Sequence, residues 1–394
     1  MKTVILADTG HSGHRRVWLA AFAETFLAQG HHVILVLPDP QPVLELIQSR
    51  INDTSTVSHQ SWDLPRVTKR NRAFFKNLGS SIRIWRSLSS TIKALPQKPD
   101  LVLLPFLDVF VCHGIFPQFL DRVFPFVWYG IYFQPQWTRR HTEKHMNRSA
   151  YFLETIAVRS KYCRGLGILD EGVGDIVASK HKVPVHCFPD FIYPSIEAHE
   201  SELGKSVRNK ANNRKIVSFV GTIQSRKGFE SFLQLMDVAD PLKYYFLIAG
   251  KFTPNCFPTT VIERWESLKK EPPENVTVFN GAIENDQDYY DLFRQSDVIW
   301  GAYEDWPHSS NVLTLSAAFK TPILVSDHYL MAERVRQFKL GAVLPDERSG
   351  AALLKAVEQL TVNTNGAYDD FTKLHSLDAL STQLVHILAL NQAT

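Results

Sequence analysis

Cysteine is scarce in this chain of 394 residues: Cys112, Cys163, Cys187 and Cys256 stand apart, with no Cys-x-x-Cys spacing. That scatter argues against a disulfide framework and against a structural metal site. Long apolar runs are missing as well. The richest apolar region, 101–133, is interrupted by Asp108, His113 and Asp121, so it does not read as a membrane span. The chain opens Met-Lys-Thr-Val-Ile-Leu-Ala-Asp and reaches an acid at Asp8, too early for a signal peptide. The reading is therefore cytosolic, and the sequons at Asn52, Asn147 and Asn275 carry no weight. No short repeat or low-complexity tract occurs, and no Asp-x-Asp metal motif stands near a strand end.

Acid is missing from one stretch. Between Asp63 and Asp100 the chain carries Arg66, Lys69, Arg70, Arg72, Lys76, Arg83, Arg86, Lys93 and Lys98, a charge of +9, which leaves −6 elsewhere in a net +3. Within it Leu78, Ile82, Trp85, Leu88, Ile92 and Leu95 recur at three- and four-residue steps, one face of a helix. Two readings stay open: a helix packed on its own sheet with a solvated basic face, or a patch over 66–98 that touches anionic lipid at the inner face of a membrane or a charged acceptor. Nucleic acid is not an expected partner, because no recognised binding module accompanies the charge.

What is present is a rhythm of strands and helices. Its 44% hydrophobic content is that of a globular protein, and the length exceeds what one core usually supports. Short apolar runs over 3–7, 32–37, 101–105, 125–131 and 165–169 read as buried strands, with a helix over 15–28 ended by Gly30. The pattern gives way to polar residues and then restarts, with strands over 215–220, 244–249, 276–279, 298–302 and 322–325. Strands alternating with helices predict α/β architecture with parallel, doubly wound sheets. The expected organisation is an N-terminal domain over 1–200, a solvated linker over 201–214, a second domain over 215–372, and a helix over 373–394 left free to return to the first domain. Such a pair would place a cleft between the carboxyl ends of two sheets.

The segment 297–327 is the most informative. After its strand comes an acidic, aromatic loop with Glu304 and Asp305, then Ser309-Ser310-Asn311 as N-cap residues for an apolar helix beginning at Val312. A helix start at the mouth of a parallel sheet, beside carboxylates, suits a phosphate and a sugar together. Ser310 reads equally as a plain cap. The second domain opens with Gly221-Thr222-Ile223-Gln224-Ser225-Arg226-Lys227-Gly228, which puts Lys227 just before a helix. Its ammonium there meets either a diphosphate or only solvent. Gly250 ends another strand, and Gly281 and Ile283 follow a third, where backbone groups can meet a flat base. In the first domain, Gly10-His11-Ser12-Gly13 lets the backbone come close to a ligand, with His11 able to bind phosphate or move a proton. Asp108 ends a strand, where a base could stand. Tyr129, Tyr132 and Trp137 fit an acceptor surface or the core.

In this order the motifs resemble the GT-B fold glycosyltransferases, specifically the large retaining nucleotide-sugar-dependent family that includes sucrose synthase and glycosyltransferases of lipid-glycan assembly. The family's second domain runs strand-Gly-x5-Lys-Gly, a strand ending in Gly, a base-contacting loop, and Glu-x7-Glu closed by Gly-Thr-Pro-Val. Here the matching residues are Gly221 with Lys227-Gly228, Gly250, Gly281, and Lys320-Thr321-Pro322-Ile323. The departures are as definite: the two glutamate positions fall on Pro307 and Leu315, and Thr222 stands where an arginine is common. The resemblance implies two Rossmann-like domains facing each other across a cleft. It also implies a nucleoside diphosphate sugar as co-substrate, no cofactor, and a glycan, lipid-linked or small-molecule acceptor. Retention of anomeric configuration follows from it too. Lys227, Arg226 and the Ser309-Ser310 helix start would then meet the diphosphate, and Glu304 and Asp305 the sugar hydroxyls. A GT-B epimerase or hydrolase and a non-catalytic binding module are the alternatives.

Overall fold

The computed structural model describes residues 1–10, 14–65, 74–110, 116–134, 156–181, 183–192, 200–283, 285–344, 348–360 and 366–390. The chain divides into two compact units, Met1–Pro189 with Leu377–Thr394, and Asp190–Ser376.

The first unit holds strands β1 (Thr3–Ala7), β2 (His32–Leu37), β3 (Val57–Ser61), β4 (Leu101–Leu104), β5 (Trp128–Tyr132), β6 (Cys163–Ile168) and β7 (Val185–Cys187). Its helices are α1 (His14–Ala28), α2 (Gln41–Gln48), α3 (Phe74–Lys93), α4 (Pro117–Val123) and α5 (Gly174–His181). The strands are all parallel, in the order β3-β2-β1-β4-β5-β6-β7. The periodic face of α3 goes inward: Trp85, Leu88 and Ile92 are buried, and the Trp85 indole N–H donates to Phe110 O at 2.9 Å. Arg83, Arg86, Lys93 and Lys98 are exposed. The acceptor-or-core choice at the aromatic residues resolves toward the core. Tyr129 and Tyr132 are buried, the former with its hydroxyl 2.9 Å from His186 Nδ1, while Trp137 lies outside the described residues.

The second unit holds α6 (Glu202–Ala211), β8 (Lys215–Val220), α7 (Phe229–Val238), β9 (Tyr244–Gly250), α8 (Thr259–Lys270), β10 (Val276–Asn280), α9 (Asp286–Arg294), β11 (Val298–Gly301), α10 (Asn311–Ala318), β12 (Ile323–Ser326), α11 (Tyr329–Phe338), β13 (Gly341–Leu344), α12 (Gly350–Leu360) and α13 (Tyr368–Leu374). Helix α14 (Leu377–Leu390) belongs to the first unit. The order β10-β9-β8-β11-β12-β13, again parallel, is the doubly wound sheet that the alternation predicts. Side chains alternate through it. Ile216, Val220, Leu247, Ile299 and Ile323 pack on one face with Leu313 and Phe293. Val217, Phe219, Phe246, Ile248 and Trp300 pack on the other with Phe232, Trp265 and Leu353. Sheets covered on both faces read as continuous apolar runs, which is why these strands were legible.

One expectation is corrected. Residues 201–214, expected as a solvated linker, contain α6. The Ser201 hydroxyl accepts from Gly204 N–H at 2.9 Å as its N-cap, and Asn212 ends the helix in the left-handed region. Val207 and Ala211 are fully buried, and the buried Asp291 carboxylate accepts from Ser201 N–H at 2.8 Å. Polar composition concealed an apolar face one turn apart at Leu203, Val207 and Ala211.

Candidate functional site

In the second sheet β8 and β11 are neighbours, and the chain winds away from them in opposite directions. The loops leaving their carboxyl ends therefore part and form a crevice, where ligands of such sheets bind. Gly221 ends β8 with φ +107, and a Cβ there would meet Lys227 Nζ at 3.2 Å, so the ammonium lies against the bare glycine backbone. Lys227 Nζ also stands 5.4 Å from the Tyr303 ring centroid, and the Tyr289 hydroxyl faces the same glycine. The Arg226 guanidinium lies 4.2 Å from the Trp306 ring centroid, while its Nε donates to Gln224 Oε1 at 3.0 Å. Neither Arg226 nor Lys227 forms an ion pair with a described residue. Two bonds stitch the loops together: Glu304 N–H to Arg226 O at 2.7 Å, and the Trp300 indole N–H to Lys227 O at 3.0 Å.

The loop after β11 brings Glu304 to Arg348, whose guanidinium reaches the carboxylate at 3.4 Å and the Ser326 hydroxyl at 2.8 Å. Burial pushes the Glu304 carboxyl up from its ordinary range; Arg348 opposes this and Glu230 adds to it. Asp305, expected like Glu304 to hold sugar hydroxyls, has a different partner in the structure. It is exposed, has φ +43, and accepts a hydrogen bond from the Tyr329 hydroxyl at 2.6 Å. Ser309 is fastened: its hydroxyl donates to the buried Asp190 carboxylate at 2.5 Å and accepts from the buried Arg334 at 2.6 Å. Ser310 occupies the N-cap position of α10 without making a side-chain cap bond, and its hydroxyl lies 3.4 Å from the Tyr303 hydroxyl. The cap reading of that side chain is thereby corrected. The backbone N–H groups of Asn311 and Val312 form no hydrogen bond with a described residue, so the helix opens with free donors. Val312 itself is buried, as is Leu315, which packs in the core where the resemblance has a glutamate.

Of the remaining expected donor residues, Thr222 is exposed beside Gly221, and Gly250 closes β9 directly against Gly221 O. Gly281 donates to Gly250 O at 3.3 Å, and Ile283 is half-buried against the core. All of these stand at the carboxyl end of the same sheet. Sequence reasoning passed over Tyr289, Tyr303, Trp306, Arg348, Asp190 and Arg334. Only the aromatic character of 303–306 gave any signal for them.

In the first unit His11 and Gly13 lie outside the described residues; Gly10 follows β1. Asp108 has both carboxylate oxygens engaged, accepting from Phe133 N–H at 2.9 Å and Gln134 N–H at 2.7 Å, the geometry of an anchor for the chain after β5. Asp8, fully buried at the end of β1, pairs with Arg15 at 3.2 Å. Burial pushes its carboxyl up to about 7 in spite of that arginine. Among the described residues no three His, Cys, Asp or Glu side chains are grouped to hold a metal ion.

Residues 201–373 match the family model described as glycosyl transferases group 1. No curated protein matches the chain. Among solved structures the chain is similar to sucrose-phosphate synthase from Thermosynechococcus elongatus, at 15% identity and TM-score 0.69 over 100% of both chains. It is similar to alpha,alpha-trehalose 6-phosphate synthase from Burkholderia multivorans, at 11% identity and TM-score 0.69 over 100% of this chain and 99% of that one. It is also similar to Anabaena Alr3699/HepE in complex with UDP and glucose, at 12% identity and TM-score 0.64 over 99% of this chain and 100% of that one.

Proposed function

We propose that this GT-B glycosyltransferase, whose residues 201–373 form its group 1 domain, transfers a sugar from a nucleoside diphosphate donor to a glycan, lipid-linked or small-molecule acceptor. The observation that carries this reading is the pair of cations Arg226 and Lys227, without a carboxylate partner among the described residues, set beside the open N-terminus of α10 at a sheet switch point. Breaking the glycosidic bond leaves a nucleoside diphosphate with growing negative charge. Donors already in place for that charge are the main catalytic demand. Lys227 Nζ, the Arg226 N–H groups and the Asn311 and Val312 N–H groups supply them without a metal ion. Glu304, oriented by Arg348, accepts from a sugar hydroxyl. The resemblance to a retaining family favours retention, and the complex of the Anabaena relative with UDP and glucose favours a UDP-sugar.

The test is a panel of UDP-, GDP- and ADP-sugars with and without acceptor extract and EDTA, scored for binding and nucleoside diphosphate release. Acceptor-dependent, EDTA-insensitive release is expected with one donor. Release of free sugar identifies a hydrolase instead, and binding without turnover under any acceptor identifies a binding module.

For the acceptor side, the exposed Arg83 and Arg86 of α3 support a contact with anionic lipid, and the reading is of a cytoplasmic enzyme working at the inner face of a membrane. Phe116, 64% exposed at the start of the neighbouring α4, adds an apolar tip of the kind that enters a headgroup layer. No described helix is long and apolar enough to cross a membrane. At low salt each basic residue near such a surface contributes about 1 kcal/mol. Arg83→Glu with Arg86→Glu is therefore expected to abolish co-sedimentation with phosphatidylserine vesicles. Equal sedimentation of variant and parent would discard the lipid contact.

A further inference from the structure

Arg226 is an exposed arginine on a loop, yet two of its three recognition features are already occupied. Its face rests on the Trp306 indole at 4.2 Å, and its Nε donates to Gln224 Oε1 at 3.0 Å. Trp306 is itself fixed. Its indole N–H donates to Ser309 O at 3.2 Å, its edge meets the His308 ring at 5.0 Å between centroids, and Ser309 is held by Asp190 and Arg334. The backbone O of Arg226 is bonded to Glu304 N–H, so both ends of the residue are tied to the same loop after β11. A guanidinium stacked on an aromatic face keeps its edge N–H groups available, and its two terminal nitrogens remain for an anion. We infer that Trp306 and Gln224 are positioning residues that hold Arg226 ready for the donor diphosphate, an inference that rests on the donor reading given above.

The physical ground is side-chain entropy. An unrestrained arginine surrenders several rotatable bonds when it grips a phosphate, whereas one already stacked and tethered has little freedom left to lose. Both loops that build the crevice thus contribute to a single cation, and the aromatic residue just before Pro307, where the family pattern has a glutamate, acquires a task. Its aromatic face, rather than a carboxylate, is what this loop presents to the neighbouring strand-helix turn.

The test is calorimetric titration of the parent with UDP, GDP and ADP, then of Trp306→Leu, Trp306→Phe, Gln224→Met, Arg226→Ala and the Arg226→Ala/Trp306→Leu double variant with the diphosphate the parent binds, UDP being the expected one. Trp306→Leu is expected to weaken UDP about five-fold, Gln224→Met about two- to three-fold, and Trp306→Phe to recover most of the affinity because it keeps a ring face. In the Arg226→Ala background, Trp306→Leu should cost nothing further, which a merely structural tryptophan would not reproduce. Additive losses in the double variant overturn the proposal while leaving the donor site standing. So does parent-like affinity in folded Trp306→Leu and Gln224→Met. A parent that binds no UDP, GDP or ADP overturns both. Gln224 lies on the loop surface, so its variant reads the same effect even if the tryptophan variant fails to fold.

Discussion

Lys227→Ala is expected to lower kcat/KM for the proposed nucleotide-sugar donor by about two orders of magnitude, the loss typical when one fixed donor to a developing negative charge is removed. The size of the effect follows from its surroundings. Nζ sits against Gly221 with the Tyr303 ring on another side and no described carboxylate to neutralise it, so its charge is unspent until a ligand arrives. Charge-assisted contacts of this kind are worth about 1.5–3 kcal/mol each in binding alone. The thermal midpoint should stay near that of the parent, because the side chain forms no ion pair with a described residue. Steady-state kinetics with the donor identified by the panel, alongside a melting curve, measure both. A variant with parental kcat/KM would remove Lys227 from the site and with it the main support for the diphosphate reading.

The second large effect is on stability. Gly228 follows Lys227 in the left-handed region, at φ 71 and ψ 30, and a Cβ there would stand 2.3 Å from Ala302 O. Alanine at this position meets the conformational cost of that region, about 1–2 kcal/mol, and an overpacking cost of about 1–3 kcal/mol against backbone that cannot swing aside. The expected sum, about 3 kcal/mol, lowers the midpoint of a domain this size by about 6–12 °C. It also pushes apart the turn carrying Lys227 and the chain just after β11 that carries Ala302, so affinity for the proposed donor is expected to fall as well. Gly30→Ala is the control. It has a similar φ of +75 with no atom within 4 Å of the added Cβ, so it meets the conformational cost alone. Equal losses at the two glycines would refute the close approach to Ala302 as a cause.

Most of the fold was legible because its central strands are buried on both faces and announce themselves as apolar runs between glycines and prolines; β3, exposed from His59 to Ser61, was not. The turn Gly221–Gly228 was legible for a related reason: a glycine, a lysine and a second glycine at fixed spacing are all dictated by one local conformation. Arg348 was not, because its partner Glu304 is 44 residues away and nothing local marks an arginine as another loop's counterion. Ser309 illustrates the same limit. It has the composition of a helix cap, but its bonds go to Asp190, 119 residues upstream, and to Arg334. The helix Glu202–Ala211 was missed for the opposite reason, since its signal was local but faint: a serine N-cap and three apolar residues at four-residue intervals among lysines and asparagines.

The placement of the last helix bears on the order in which the chain can fold. Leu380, Leu384 and Ile387 are fully buried, and Lys2 Nζ donates to Leu388 O at 2.9 Å, all within the unit that contains the N-terminus. The first unit is therefore discontinuous, whereas the second is one uninterrupted stretch, Asp190–Ser376. During synthesis the domain encoded second has all its residues in hand before the domain encoded first does. The N-terminal sheet waits, with the surface meant for α14 uncovered, until residue 388 has left the ribosome. A fragment cut after Ser376 keeps the whole second unit and leaves the first unfinished.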